Sequence, residues 1–284
     1  GDHRDLHLFP YTTLFRSRVK YRPFTGDGER SIRLDAPPLE LVLCQVRWPE
    51  LSFLQEERLR PLALQFGEAI PEYPIFSEAK EINYAITPEG VTQNVVGSVF
   101  QWASVDQCWH VSLARRFVTL YATTYTNYVE FNERLQGVLE NVRELLKVPM
   151  VERVGVRYVN RISDEATLAE LPDLISPQVL GYQGLPLTTG QATLRASNNQ
   201  AIYLVDDCHL QVRSGMVPSG ETVDPAITPL EGKPSWVLDL DASNDRRWIL
   251  DSKAVAEQAS HLSDIAYDYF KLVVTEGFVE RFGD

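Results

Sequence analysis

Two long stripes of apolar residues at helical spacing, each preceded by a run of β-type segments, constrain this chain more than any other feature. The first stripe is Tyr128, Phe131, Leu135, Val138, Leu139, Val142, Leu145 and Leu146, and the second is Val255, Ala259, Leu262, Ile265, Tyr269 and Val273. Recurrence every three or four residues puts each set on one helix face. Asn127 with Glu130 three residues on predicts a capping box at the start of the first helix, and Pro149 ends it. Asp251 or Ser252 starts the second. The segments before them are rich in β-branched and aromatic residues: "LELVLCQVRW" (39–48), "EINYAIT", "VVGSVFQWASV", "CWHVSL", "RFVTLYATTY" and "VERVGVRYVNRI" (151–162), then "QATLRASN", "AIYLVDDCHLQVRS" and "SWVLDLDA". These read as strands. The chain is expected to be α+β, mainly antiparallel sheets each packed by a long amphipathic helix.

Punctuation divides the chain further. Pro61 reads as a first helical residue, followed by a short face of Leu62, Phe66, Ala69 and Ile70. Residues 39–162 form a first α+β half. Residues 163–190, with Pro172, Pro177, Gly181, Gly184, Pro186 and Gly190, form a connection, and residues 191–284 form a second half. "GMVPSGETVDPAITPLEGKP" reads as a long loop. "CQVRW" at 44–48 echoes "LQVRS" at 210–214, which implies two duplicated halves. Residues 18–38 are charged and interrupted by glycine and proline, and are expected to be a loose N-terminal arm. The seventeen residues before them, "GDHRDLHLFPYTTLFRS", have neither the apolar run of a signal peptide nor the acid-poor composition of a transit peptide. Read back into codons, they match two pieces of a sequencing adapter, so residues 1–17 are expected to be a translated artefact and are excluded from fold reasoning.

The net charge of −12 favours solubility and argues against a broad nucleic-acid surface, though not against a local basic patch. No apolar run approaches the ~20 residues of a membrane span. Cys44, Cys108 and Cys208 are widely spaced and odd in number, which reads as reduced thiols in the cytoplasm.

The most informative stretch is "VERVGVRYVNRI". Alternation puts Val154, Val156, Tyr158 and Ile162 on one face and Arg153, Gly155, Arg157, Val159 and Arg161 on the other. Neighbouring arginines of the three are then roughly 13 Å apart, with Gly155 leaving room for an approach to the backbone. Guanidinium groups grip carboxylates and phosphates bidentately. The face therefore reads either as a groove for an anionic partner or as arginines paired with the chain's own acids. Gln45 and Arg47, and Gln211 and Arg213, repeat the polar alternation and could extend the same surface. Arg153, Arg157, Arg161, Asn160, Arg47 and Arg213 are the candidate binding residues.

Other chemistries leave less trace. Asp206, Asp207, Cys208 and His209 are dense, but alternation splits them between faces. Asp239 and Asp241 share a face and with Asp245 could hold a divalent ion, yet read more simply as the wet side of a strand. No metal and no cofactor is expected. P-loop, G-x-G-x-x-G and G-x-S-x-G patterns are missing. Trp102, Trp109, Tyr121 and Tyr125 sit at strand spacing and read as core.

Three stretches carry a resemblance: Pro37, Pro38, Leu39 and Glu40 opening the first strand; Thr123 or Thr124, Tyr125 and Phe131 at the strand-to-helix junction; and Arg157, Tyr158, Asn160 and Arg161. They resemble a sporadically distributed bacterial family of unknown function. The resemblance spans most of residues 36–284 and implies a prokaryotic protein with a patchy distribution, of the kind carried on mobile elements or in defence islands. It brings no catalytic residues. The expectation is a cytoplasmic binding protein that takes a protein or an anionic ligand, does not engage membranes, is compatible with a homodimer and is an accessory component of a defence or mobile-element module. The alternative is a metal-dependent enzyme acting on nucleic acid or a phosphorylated substrate.

Overall fold

The computed structural model describes residues 21–87, 90–125, 127–187 and 189–283. The adapter expectation for residues 1–17 lies outside them. The first half runs β1 (Leu39–Arg47), α1 (Glu56–Glu68), β2 (Ile75–Thr87), β3 (Gly90–Ala103), β4 (Trp109–Ala114), β5 (Phe117–Ala122) and α2 (Tyr128–Asn141). After a short β6 (Met150–Val151) comes β7 (Arg153–Ile162), which the sequence division placed in the first half but which by strand order opens the second; three short helices α3 (Glu165–Ala169), α4 (Leu171–Leu174) and α5 (Pro177–Leu180) follow, then β8 (Asn199–Val205), β9 (Cys208–Val217), β10 (Ser235–Asn244), β11 (Trp248–Ile249), α6 (Ser252–Val273) and α7 (Glu276–Phe282).

The two halves build one antiparallel nine-stranded sheet, ordered β2-β3-β4-β5-β1-β7-β10-β9-β8. Each half lays one strand at the centre, crosses by helices to the far edge, returns by an antiparallel meander and ends in a long helix. The halves meet where β1 pairs with β7, Arg47 opposite Arg153. By topology the counterpart of β1 is β7. The sequence echo instead links β1 to β9, so those letters do not trace this repeat.

Strand alternation turns Val42, Cys44, Val46, Val154, Val156, Leu238, Leu240 and Ala242 towards the helices, where all are buried. The α6 stripe from Val255 to Val273 is buried against them. Asn127 Oδ1 accepts from the Glu130 amide at 3.0 Å, as a cap should, but the Glu130 carboxylate pairs with Arg134 instead of closing the box.

Three expectations change. The helix read as starting at Pro61 starts at Glu56, with acids in its first turn, and contains the proline. Residues 191–198 are not a strand. Their C-terminal end reaches β9 through Ser197, whose amide donates to the Met216 carbonyl and whose Oγ accepts from the Met216 amide. A Cβ on Gly215 would lie 2.0 Å from the Ser197 carbonyl oxygen. Gly215→Ala is therefore expected to cost about 1–3 kcal/mol in urea unfolding, as overpacking does.

Finally, residues 21–36 are not a loose arm. Arg22 pairs with Asp264 at 3.0 Å. The Phe24 and Thr25 amides donate to Asp268 at 2.7 and 3.0 Å. Lys271 donates to the Asp27 and Arg30 carbonyls, and the Ile32 amide donates to Tyr267 Oη at 2.8 Å. Extended backbone with several free amides gained partners on α6 that composition alone did not show.

Candidate functional site

The arginine strand points as alternation requires, away from the helices, but its guanidiniums are occupied. Arg157 holds Asp239 bidentately at 2.8 and 2.9 Å and Asp224 at 2.5 Å. Arg213 reaches the same Asp239 at 2.8 Å. Arg161 donates to the Thr228 carbonyl at 2.8 Å and pairs with Glu40 at 3.2 Å. Arg153 pairs with Asp245 at 3.2 Å and more distantly with Asp241. Its guanidinium lies over Gly155, 3.0 Å from where a Cβ would sit. The space expected for a guest is filled by the arginine itself.

The register explains the pairing. β10 lies beside β7, with Asp241 opposite Arg157 and Asp239 opposite Arg213 of β9. The loop 218–233 then folds over the centre of this face, with Ile227 buried among Leu41, Val159 and Val237 and Asp224 brought to Arg157. Burial alone would lower the Arg157 pKa, but hydrogen bonds and charge from Asp239, then the charge of Asp224, raise it above its ordinary value. Burial pushes Asp241 up, opposed by Arg153. Gln45, Arg47, Gln211 and Arg213 do share this face, across β1, β7, β10 and β9. Of the six candidate residues, Arg47 alone has a side chain with no ion pair or hydrogen bond among the described residues.

The acids proposed for a divalent ion are committed to these arginines. Asp206 and Asp207 form the β8–β9 turn, with Asp206 at φ 53°. Among the described residues, no group of three His, Cys, Asp or Glu side chains is arranged to hold a metal.

The sixth candidate, Asn160, is elsewhere. It is buried on the helix side of β7 and lines a cavity of about 700 Å³ between β7 and α6. Tyr125 and Tyr128 enter from the β5–α2 junction, Tyr158 from β7, Leu240 from β10, and Ser260, Ser263, Tyr267 and Phe270 from α6. Ile32, Leu34, Asp35, Pro37, Leu39, Asp264 and Ala266 complete the lining, and Asp264 is paired with Arg22. Tyr125 meets Tyr158 and Phe131 edge-on, each at 6.4 Å between ring centres. Tyr158 Oη and Ser263 Oγ share a hydrogen bond of 2.6 Å. Tyr128 Oη is buried and makes no well-formed hydrogen bond, with the Ser260 hydroxyl as its polar neighbour. Burial raises the pKa of Tyr125, Tyr128 and Tyr158 above the ordinary phenol value, so all three remain protonated donors at neutral pH.

All three stretches behind the family resemblance meet at this cavity. Pro37 and Leu39 come from the first, Tyr125 from the second, and Tyr158 and Asn160 from the third. The Glu40–Arg161 ion pair joins the first to the third. Sequence reasoning named most of these residues but assigned the tyrosines to core, because a cavity wall and a core have the same composition. Compared with known proteins, the chain matches no family model, and no curated protein matches its sequence.

Proposed function

We propose that the protein is a binding protein whose ligand occupies the tyrosine-lined cavity between β7 and α6. The observation that carries this reading is the convergence there of three stretches separated by long intervals of chain, around the buried Tyr128 hydroxyl that makes no well-formed hydrogen bond. A concave, mostly apolar site with a few converging polar groups is the usual form of a small-molecule site, and this volume suits a drug-sized molecule. Tyr125, Tyr128, Tyr158 and Phe270 would flank an apolar or aromatic body. Tyr128 Oη and Asn160 would meet a hydrogen-bond acceptor at one end.

In this reading the ligand is neutral and acceptor-bearing, not the anion expected from the arginine face. The proposal includes a bacterial, cytoplasmic setting, which suits the free thiols of Cys44, Cys108 and Cys208. Capture of a small molecule would make the chain a sensor-like accessory of a defence or mobile-element module. The metal-enzyme alternative needs open carboxylates, whereas both Asp239 oxygens are held by Arg157 and Arg213.

The test is fluorescence titration with the neutral apolar probe N-phenyl-1-naphthylamine. One saturable site is expected, lost on Ser260→Phe, which fills the cavity from an accessible helix position while leaving the circular dichroism spectrum unchanged. Binding that does not saturate, or that survives Ser260→Phe, would overturn the reading.

A further inference from the structure

On the face opposite the cavity, we infer a second, anion-binding site built on Arg47 and Arg153 that takes a phosphate group. Three independent features place it. Arg47 and Arg153 stand directly opposite each other across the β1–β7 pairing. Like charges in that position repel and destabilise the pair unless something neutralises them. The two arginines are neutralised unequally: Arg153 has Asp245 and, more distantly, Asp241, whereas the half-buried Arg47 side chain has neither ion pair nor hydrogen bond among the described residues.

The surroundings at this end of the sheet are also basic. Arg115 and Arg116 lie in the β4–β5 turn, beside Phe117, which pairs with Arg47. Arg246 and Arg247 follow the end of β10. Five acids face these six arginines: Asp241 and Asp245 at Arg153, and three at the others. Glu50 pairs with Arg115 at 3.3 Å, Glu152 is shared by Arg116 at 2.9 Å and Arg247 at 3.7 Å, and Asp207 reaches Arg246 only at 4.0 Å. In a chain of net charge −12 this end of the sheet still has one cation more than its acids, and Arg47 is the arginine without an ion pair among the described residues. The guanidinium fork of Arg47 matches the oxygens of a phosphate, which it can grip with two parallel hydrogen bonds, and Arg153, held by Asp245, adds positive charge beside it. Gln45, two residues before Arg47 on the same face, spends its amide only on a long 3.4 Å contact to Thr119 Oγ1 and can turn to a third oxygen.

The experiment is thermal unfolding of the full chain in phosphate-free buffer with three additions. Inorganic pyrophosphate tests a free anion. A nucleoside monophosphate, set against its unphosphorylated nucleoside, tests a phosphate carried on an organic body. At ten times the Kd, a bound ligand is expected to raise Tm by about 3–5 °C. Stabilisation by pyrophosphate assigns the site to a free anion, and stabilisation by the nucleotide alone assigns it to an organic phosphate. In either case Arg47→Gln should abolish the shift and Arg47→Lys should retain part of it. Without anion, Arg47→Gln should leave Tm unchanged or higher, since it removes a repulsion. The inference is overturned if neither compound raises Tm at 10 mM, if Arg47→Gln responds as the parent does, or if Arg47→Gln lowers Tm without anion.

Discussion

Asp239→Ala is expected to destabilise the protein by about 3–5 kcal/mol, the usual cost of leaving buried charge without its partner. In thermal unfolding this is a fall of roughly 10 °C in Tm. Asp239 is 2% exposed and carries three contacts to two arginines. Its removal strands Arg157, whose side chain is 13% exposed and keeps only Asp224. Arg213 can turn to water, because its side chain is 37% exposed. Arg157→Ala should therefore also destabilise strongly, because it leaves Asp239 buried with a single cation. Asp224→Ala should cost less, since Arg157 keeps its bidentate partner and the loop alone loosens. A loss below 1 kcal/mol for Asp239→Ala would show that these pairs are solvent-compensated and that the strand is not held by them.

That expectation marks where local sequence information ended. Period-2 alternation correctly turned Arg153, Arg157 and Arg161 to one face and Val154 and Val156 to the other, because side-chain direction along a strand is set by the strand itself. The occupants of that face come from far along the chain. Asp224 and Asp239 lie 67 and 82 residues from Arg157, and only the β7–β10 register and the fold of loop 218–233 bring them there. The helical stripes were readable for the same local reason, and α6 buries the side it was expected to bury.

Errors arose where a residue type fits two structures. A proline is comfortable at the start of a helix, so Pro61 displaced the true start at Glu56. "QATLRASN" has strand-like composition yet forms no ladder. The tyrosines show the same ambiguity at the site. Tyr125, Tyr128 and Tyr158 are as apolar in pattern as any core position, and their distinction lies in the space between them. Asn160 was the one polar hint, since a buried amide on the core side of a strand needs a reason.

The arm tests the other buried charge cluster. Asp268 has no solvent exposure, and neither does the side chain of Lys271 beside it at 3.6 Å. Asp268 accepts from the Phe24 and Thr25 amides and from Thr25 Oγ1, so one carboxylate holds both the lysine and the start of the segment whose later residues, Ile32 to Leu39, line the cavity. Asp268→Ala removes all of these acceptors at once. Lys271 keeps the Asp27 and Arg30 carbonyls but loses the carboxylate it pairs with. The expected cost is about 3–5 kcal/mol, with Asp268→Asn falling between it and the parent because the amide keeps an acceptor oxygen. Stability alone would not separate a latch from an ordinary buried acid, so the second readout is limited trypsin digestion. Cleavage after Arg30 and Arg33 should accelerate at least tenfold at temperatures well below Tm, and N-phenyl-1-naphthylamine should bind more weakly, because the segment that closes the cavity is then released. An unchanged cleavage rate with lowered Tm would mean that Asp268 stabilises α6 and does not hold the segment over the cavity.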